Sequence, residues 1–146
     1  MKLTEHFSDT ELGVAGCSDQ IIANATELCV KILEPIRAQF GPVAVHDGYR
    51  DAAHNARVGG KPDSQHLYLD QNSAADISCP SSGLSEVFDW IRLESELPFD
   101  EVILEYSGGV PACVHVSYNG SLTNERREAL TGQTGAGKVY TPVKVC

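Results

Sequence analysis

Two stretches of the chain alternate with a period of two, Glu101-Val-Ile-Leu-Glu-Tyr106 and Cys113-Val-His-Val-Ser-Tyr118, and Gly108-Gly109 and Pro111 lie between them. Alternation bounded by turn residues predicts two strands joined as a hairpin. It commits the chain to an antiparallel sheet with two different faces. Val114, Val116 and Tyr118 share one face, and Cys113, His115 and Ser117 share the other. The first face is expected in the core and the second on the floor of a site. A hairpin symmetric about residue 110 sets Glu105 opposite His115, with Cβ atoms about 5 Å apart.

The remaining segments supply helices and two short strands. Phe7 to Leu12 reads as a capped helical turn. Asn24-Ala-Thr-Glu27 has the form of a capping box. It is expected to open a helix with Leu28, Ile32, Leu33 and Ile36 on one face, kinked at Pro35 and ended at Gly41-Pro42. Val43 to His46 and Ala74 to Ile77 read as strands. Asp51 to Arg57 reads as a helical turn followed by a Gly59-Gly60 loop. Ser82 or Ser85 is expected to cap a helix through Val87, Phe88, Trp90 and Ile91 that stops before Pro98. Helices and strands in this order predict a small α+β fold, with helices packed on one side of a mainly antiparallel sheet. The 146 residues fit a single domain, 1–146, with its core at about 20–120 and a flexible tail at 132–146.

Charge excludes some functions. The chain carries 20 acids against 11 bases, a net charge of −9. Its largest basic cluster is the pair Arg126-Arg127, too little for a nucleic-acid footprint. The same charge opposes binding to an anionic membrane, and no apolar run is long enough to span a bilayer. The first residues lack the apolar region of a signal peptide, which predicts cytoplasmic synthesis. Five cysteines, with no Cys-x-x-Cys pair, predict free thiols.

The chemistry-bearing residues come from separate segments: Gly48-Tyr49-Arg50, Ser64-Gln65-His66, Ala75-Asp76 and His115-Val116-Ser117. Asp76 lies in an otherwise apolar strand, where an unpaired carboxylate is costly. A metal, an arginine or a helix N-terminus could each be its partner. Two imidazoles and a carboxylate form a donor set that suits Zn²⁺ and leaves a fourth position open. A zinc site of that kind performs hydrolysis.

These residues, with Asn55, Gly59-Gly60, Ala74-Ala75-Asp76-Ile77, Val114-His115-Val116-Ser117-Tyr118 and the leader Leu33-Glu34-Pro35-Ile36-Arg37, resemble the zinc D-alanyl-D-alanine carboxypeptidase family. That family includes D-Ala-D-Ala dipeptidases and phage endolysins that cut peptidoglycan stem peptides. The resemblance implies one zinc ion held by His66, Asp76 and His115 in a groove on the sheet. It implies that Arg50 binds the substrate carboxylate or steadies charge on the scissile carbonyl, a task suited to a planar, permanently charged fork. Ser64 is then expected near metal or substrate, with a loop cap as its other reading.

The chain also departs from the family. Nine residues, Leu67 to Ala75, separate His66 from Asp76, and none of them is Gly. The loop is therefore longer, and Asp70 becomes a rival ligand, although Asp76 fits the Ala-Ala-Asp-Ile context better. The position two before His115 is often Trp in relatives and is Cys113 here. Some relatives place a catalytic acid three before that His, where this chain has Ala112. Glu105 is therefore the expected general base, through the hairpin, with Asp100 a weaker candidate. His46 is expected in support near the cleft, and His6 and His54 at the surface.

The resemblance thus predicts zinc-dependent cleavage of a D-Ala-D-Ala or L-Ala–D-Glu bond in a peptidoglycan stem peptide. The expected agent is a monomeric phage or prophage lysin, released to the wall after cytoplasmic synthesis or carried on the virion. Two rivals stand beside this expectation. One is a non-catalytic zinc module that binds peptidoglycan or serves as a phage structural part. The other is a cysteine hydrolase using Cys113 and His115, two apart on one strand face and poorly placed for proton transfer.

Overall fold

The computed structural model describes residues 1–121, 125–133 and 139–146. Six strands form one sheet: β1 (Ala44–Asp47), β2 (Asn72–Ser78), β3 (Glu101–Ser107), β4 (Val110–Asn119), β5 (Glu128–Gln133) and β6 (Tyr140–Pro142). Their spatial order is β1-β2-β4-β3-β5-β6. All neighbours are antiparallel except β3 and β5. The fold is thus a small α+β domain with a mostly antiparallel sheet, as the alternation predicts. The sheet continues past residue 120 through β5 and β6. Part of the segment expected to be a flexible tail therefore pairs in the sheet, and 134–138 of it lie outside the described residues.

The helices are α1 (Asp9–Leu12), α2 (Asp19–Leu28), α3 (Glu34–Phe40), α4 (Ala52–Arg57) and α5 (Leu84–Asp89). Ser8 caps α1 in a reciprocal capping box with Glu11, and Asp51 caps α4 through the backbone of His54. A π-helical turn, Cys29–Leu33, joins α2 to α3, and Glu34 N–H reaches back to the Cys29 carbonyl. This is how Pro35 acts on the helix. It has no N–H to return, so the preceding turn widens by a residue. Gly41 then ends α3.

Two helix starts differ from expectation. Ser18, not Asn24, caps α2, and Gly83, not Ser82 or Ser85, precedes α5. Asn24 lies inside the helix because its amide has another task. It is nearly buried and donates to the carbonyls of Tyr68 and Asp70, at 3.1 and 2.9 Å. Those two residues have φ of 52° and 54°. The long loop between His66 and Asp76 is thus pinned to α2, and the Tyr68 hydroxyl donates to the Ala74 carbonyl at 2.7 Å. The segment between His66 and β2 therefore folds as an anchored loop.

Alternation divides the sheet. Ala75, Ile77, Val102, Leu104, Val114, Val116 and Ala129 point into the core with Leu28, Ile32, Leu33, Ile36, Val87, Phe88 and Ile91. Burying each large aliphatic side chain contributes about 1.5–3 kcal/mol before the entropy of ordering it. The opposite residues, Asp76, His115, Ile103, Glu101, Glu105 and Leu130, line a groove. The loop after β1 folds across that groove.

The hairpin is tighter than expected. Gly108 and Gly109, with φ of 59° and 82°, alone make the turn between Ser107 and Val110. Two residues with positive φ match the twist of the strands. A register shift between Glu105 and Tyr106 then pairs Glu105 with Cys113, and His115 with Ile103. The expectation that Glu105 faces His115 directly is therefore corrected. The error is two residues, so the side-chain face is unchanged. Glu105 stands one rung from His115 toward the turn, and Glu101 about one rung away on the other side.

Candidate metal centre

Three elements supply the central side chains. His66 comes from a short 3₁₀ turn, Gln65–Leu67, which Ser64 caps by accepting from the His66 N–H at 3.3 Å. Asp76 and His115 are direct cross-strand partners on β2 and β4. His66 Nε2 and His115 Nδ1 lie 3.3 and 3.1 Å from the same oxygen, Oδ1 of Asp76. One atom of each residue can be chosen so that all lie within 4.8 Å of one another. His66 and His115 are nearly buried.

This donor set fits a zinc ion. Tetrahedral zinc with bonds of about 2.0–2.1 Å separates its ligand atoms by roughly 3.3 Å. The two measured separations from Asp76 Oδ1 are of that size. His66 Nδ1 is 2.7 Å from the Gly48 carbonyl. Its Nδ1–H donates there, which leaves the Nε2 lone pair directed at Asp76.

Electrostatics support an ionised Asp76. Burial alone would raise its pKa, but the adjoining imidazoles of His115 and then His66 outweigh that cost and hold the carboxyl well below the usual range. Burial would lower the pKa of His115, but Asp76, Glu101 and Glu105 raise it. Glu101 is raised, first by burial.

Arg50 stands at the lip of the groove. Its Nε donates to Asp47 at 2.6 Å, Nη1 donates to Asn55 at 3.3 Å, and Nη2 lies 3.8 Å from the second Asp76 oxygen. Gly48 brings this segment close to α1. A Cβ at Gly48 would stand 2.5 Å from the Leu12 carbonyl oxygen. Because that obstacle is backbone, Gly48→Ala is expected to lower stability by about 1–3 kcal/mol, read from denaturant unfolding. The substitution should also disturb the aim of His66, since the Gly48 carbonyl accepts from its Nδ1–H. An unchanged unfolding midpoint would contradict this account.

The groove, about 480 Å³, is further lined by Lys61, Asp63, Ser64, Gln65, Glu105, Arg126 and Tyr140. The Tyr140 hydroxyl donates to Glu105 at 3.5 Å, and burial pushes its pKa up to about 12, so it stays protonated. Gly132 makes room for this ring, since a Cβ there would meet Tyr140 Cδ1 at 2.4 Å.

Other candidates fall elsewhere. Asp70 lies beside a different depression, with Ser18 and Leu69. Asp100 is buried and gripped by Arg126, which corrects its candidacy as a base. His46 pairs with Ser78 at 2.7 Å rather than supporting the cleft. His6 pairs with Glu34. The five cysteines are free. Burial and then the carboxylates of Asp76 and Glu105 push the Cys113 thiol up to about 12, so a thiolate nucleophile is disfavoured. Sequence reasoning missed Asp47, Glu101 and Tyr140, and it named Gln65 only as part of the Ser64-Gln65-His66 segment, without a role. For Glu101 the signal was available, because it shares the parity of Ile103 and Glu105.

Fold and site together define a small α+β protein with a His–Asp–His cluster, able to hold a metal ion, at a groove on its sheet. The chain belongs to the Peptidase M15 family, whose model matches residues 2–116, most of the sequence. That family consists of zinc peptidases of the D-Ala-D-Ala carboxypeptidase type. No curated protein matches the chain. Among the described residues, no helix is long and apolar enough to cross a membrane.

Proposed function

We propose that the chain is a zinc-dependent peptidase that cleaves a peptide bond in peptidoglycan stem peptides, of the D-Ala-D-Ala carboxypeptidase or L-Ala–D-Glu endopeptidase type. The observation that carries this reading is the convergence of His66, Asp76 and His115 beside a groove that also holds Arg50 and Glu105. Membership of the M15 family supports the substrate class.

In this reading His66, Asp76 and His115 hold the zinc. Bound there, zinc polarises a carbonyl and makes a water easier to deprotonate. Glu105 accepts the proton of the attacking water and returns it to the departing amine. Arg50 binds the substrate's carboxylate or the charge that grows on the scissile carbonyl, a role suited to a guanidinium held in place by Asp47 and Asn55. Ser64 stands at the groove wall and presents the substrate-facing end of the 3₁₀ turn. The substrate is the only partner required, and a monomer suffices. In the cell the protein serves as a phage or prophage lysin that reaches the wall after release, or as a virion-associated wall enzyme.

Zymography on purified cell wall, with and without a chelator, tests the activity. The expected result is clearing that a chelator abolishes and added zinc restores, with mass spectrometry of the digest naming the bond. One equivalent of bound zinc without clearing would favour a peptidoglycan-binding or phage structural module. Clearing that resists the chelator would refute the metal mechanism. The lysin role further predicts that the expressed protein spares its host until the membrane is permeabilised.

A further inference from the structure

Behind His115 lies a chain of hydrogen bonds that the chemistry above does not use. Asp100 is only 2% exposed. Arg126 grips it with two bonds, Nε to Oδ1 at 2.7 Å and Nη2 to Oδ2 at 2.9 Å. Gln65 Nε2 donates to the same Oδ2 at 2.7 Å. The other end of that amide, Oε1, lies 3.0 Å from Nε2 of His115.

The donors and acceptors allow one arrangement. An ionised carboxylate only accepts, so the amide end that faces Asp100 is the NH₂ group. The carbonyl oxygen is then turned to His115. It also only accepts, so Nε2 of His115 carries a hydrogen. When the ring is neutral, as a metal ligand must be, the free lone pair is on Nδ1. Nδ1 is the nitrogen 3.1 Å from Asp76 Oδ1. Glu101 Oε1, 3.7 Å from Nε2, is beyond hydrogen-bond reach but sets a carboxyl group on the same side of the ring.

We propose that Gln65, locked by the Asp100–Arg126 pair, is a positioning residue that sets the tautomer of His115 and so makes Nδ1 its metal-binding nitrogen. The inference rests on the metal-centre reading above and extends it to residues that do not touch the ion. Gln65 is next to His66 in sequence, so one short turn delivers a ligand and the group that orients another.

The test measures zinc affinity of the full chain by competition with a chromophoric chelator, without any peptide substrate. In Asp100→Asn, Arg126 takes the new amide's oxygen and its NH₂ faces Gln65. The Gln65 amide then turns over and presents its own NH₂ to Nε2, which selects the wrong tautomer. Zinc affinity is expected to fall about 10- to 100-fold, the usual effect of losing such a partner. Gln65→Leu, close in size but unable to accept, should fall similarly and covers the case in which the Asp100 variant folds poorly. In the double variant Asp100→Asn/Gln65→Glu, the carboxylate at 65 accepts from both neighbours and affinity should return toward wild type. In the zinc-loaded wild type, ¹⁵N shifts of the His115 ring should identify Nδ1 as the coordinated atom. Equal affinity in all variants, coordination through Nε2, or no recovery in the double variant would overturn the relay. A wild-type chain that takes up no zinc would overturn the metal centre, and the relay with it.

Discussion

His66→Ala and His115→Ala are each expected to leave a folded chain that retains no zinc and shows no hydrolysis above background. Each histidine supplies one of three protein donors, and two donors do not hold zinc firmly in competition with water and buffer. The two rings lie 5.1 Å apart between centroids and meet at one Asp76 oxygen, so neither can substitute for the other. The expected loss is therefore complete rather than graded. Folding should survive better than activity, because both rings border the groove while the core on the opposite face is left intact. Metal analysis of the purified variants reads the stoichiometry, and circular dichroism reads the fold. Zinc at one equivalent in both variants would refute the ligand set. Loss of zinc with full activity would refute the role of the metal.

Much of this site was legible because it depends on parity and local patterning. Alternation in the two strands put His115 on the face opposite Val114 and Val116, and the sheet keeps that division. A two-residue error in the turn left Glu105 on the correct face, since the side-chain period is two. What could not be read was long-range hydrogen bonding. Nothing local marks Asn24 as the anchor of a loop more than 40 residues later. The capping-box pattern there misled, because a polar residue in a helix can serve a tertiary contact. Asp100, Gln65 and Arg126 likewise meet only after β3, the 3₁₀ turn and the segment before β5 are assembled. Tyr140 was missed for a related reason. It enters the groove on β6, an edge strand of three residues that lacks a pattern of its own.

Glu105→Gln is expected to bind zinc as the wild type does and to lose about 10²- to 10⁴-fold in kcat, the usual contribution of a positioned general base. The substitution keeps size and hydrogen bonding but removes the basic oxygen. Two carboxylates compete for this role, since Glu101 and Glu105 both flank His115 on β3. The orientation of His115 separates them. Its Nδ1 faces Asp76, while its Nε2 faces Gln65 and Glu101. Glu101 is thus placed against the nitrogen directed away from Asp76. Glu105 lies on the rung of Cys113, 3.9 Å from that sulfur, and shares the groove with Arg50 and Tyr140. Glu101→Gln should accordingly weaken zinc binding more than it slows turnover of the loaded enzyme, whereas Glu105→Gln should do the reverse. Because the two effects are read by different measurements, they cannot be mistaken for each other. A Glu105→Gln chain that keeps a near-wild-type rate would place the base elsewhere, and a larger turnover loss in Glu101→Gln at full zinc occupancy would transfer the role to that residue.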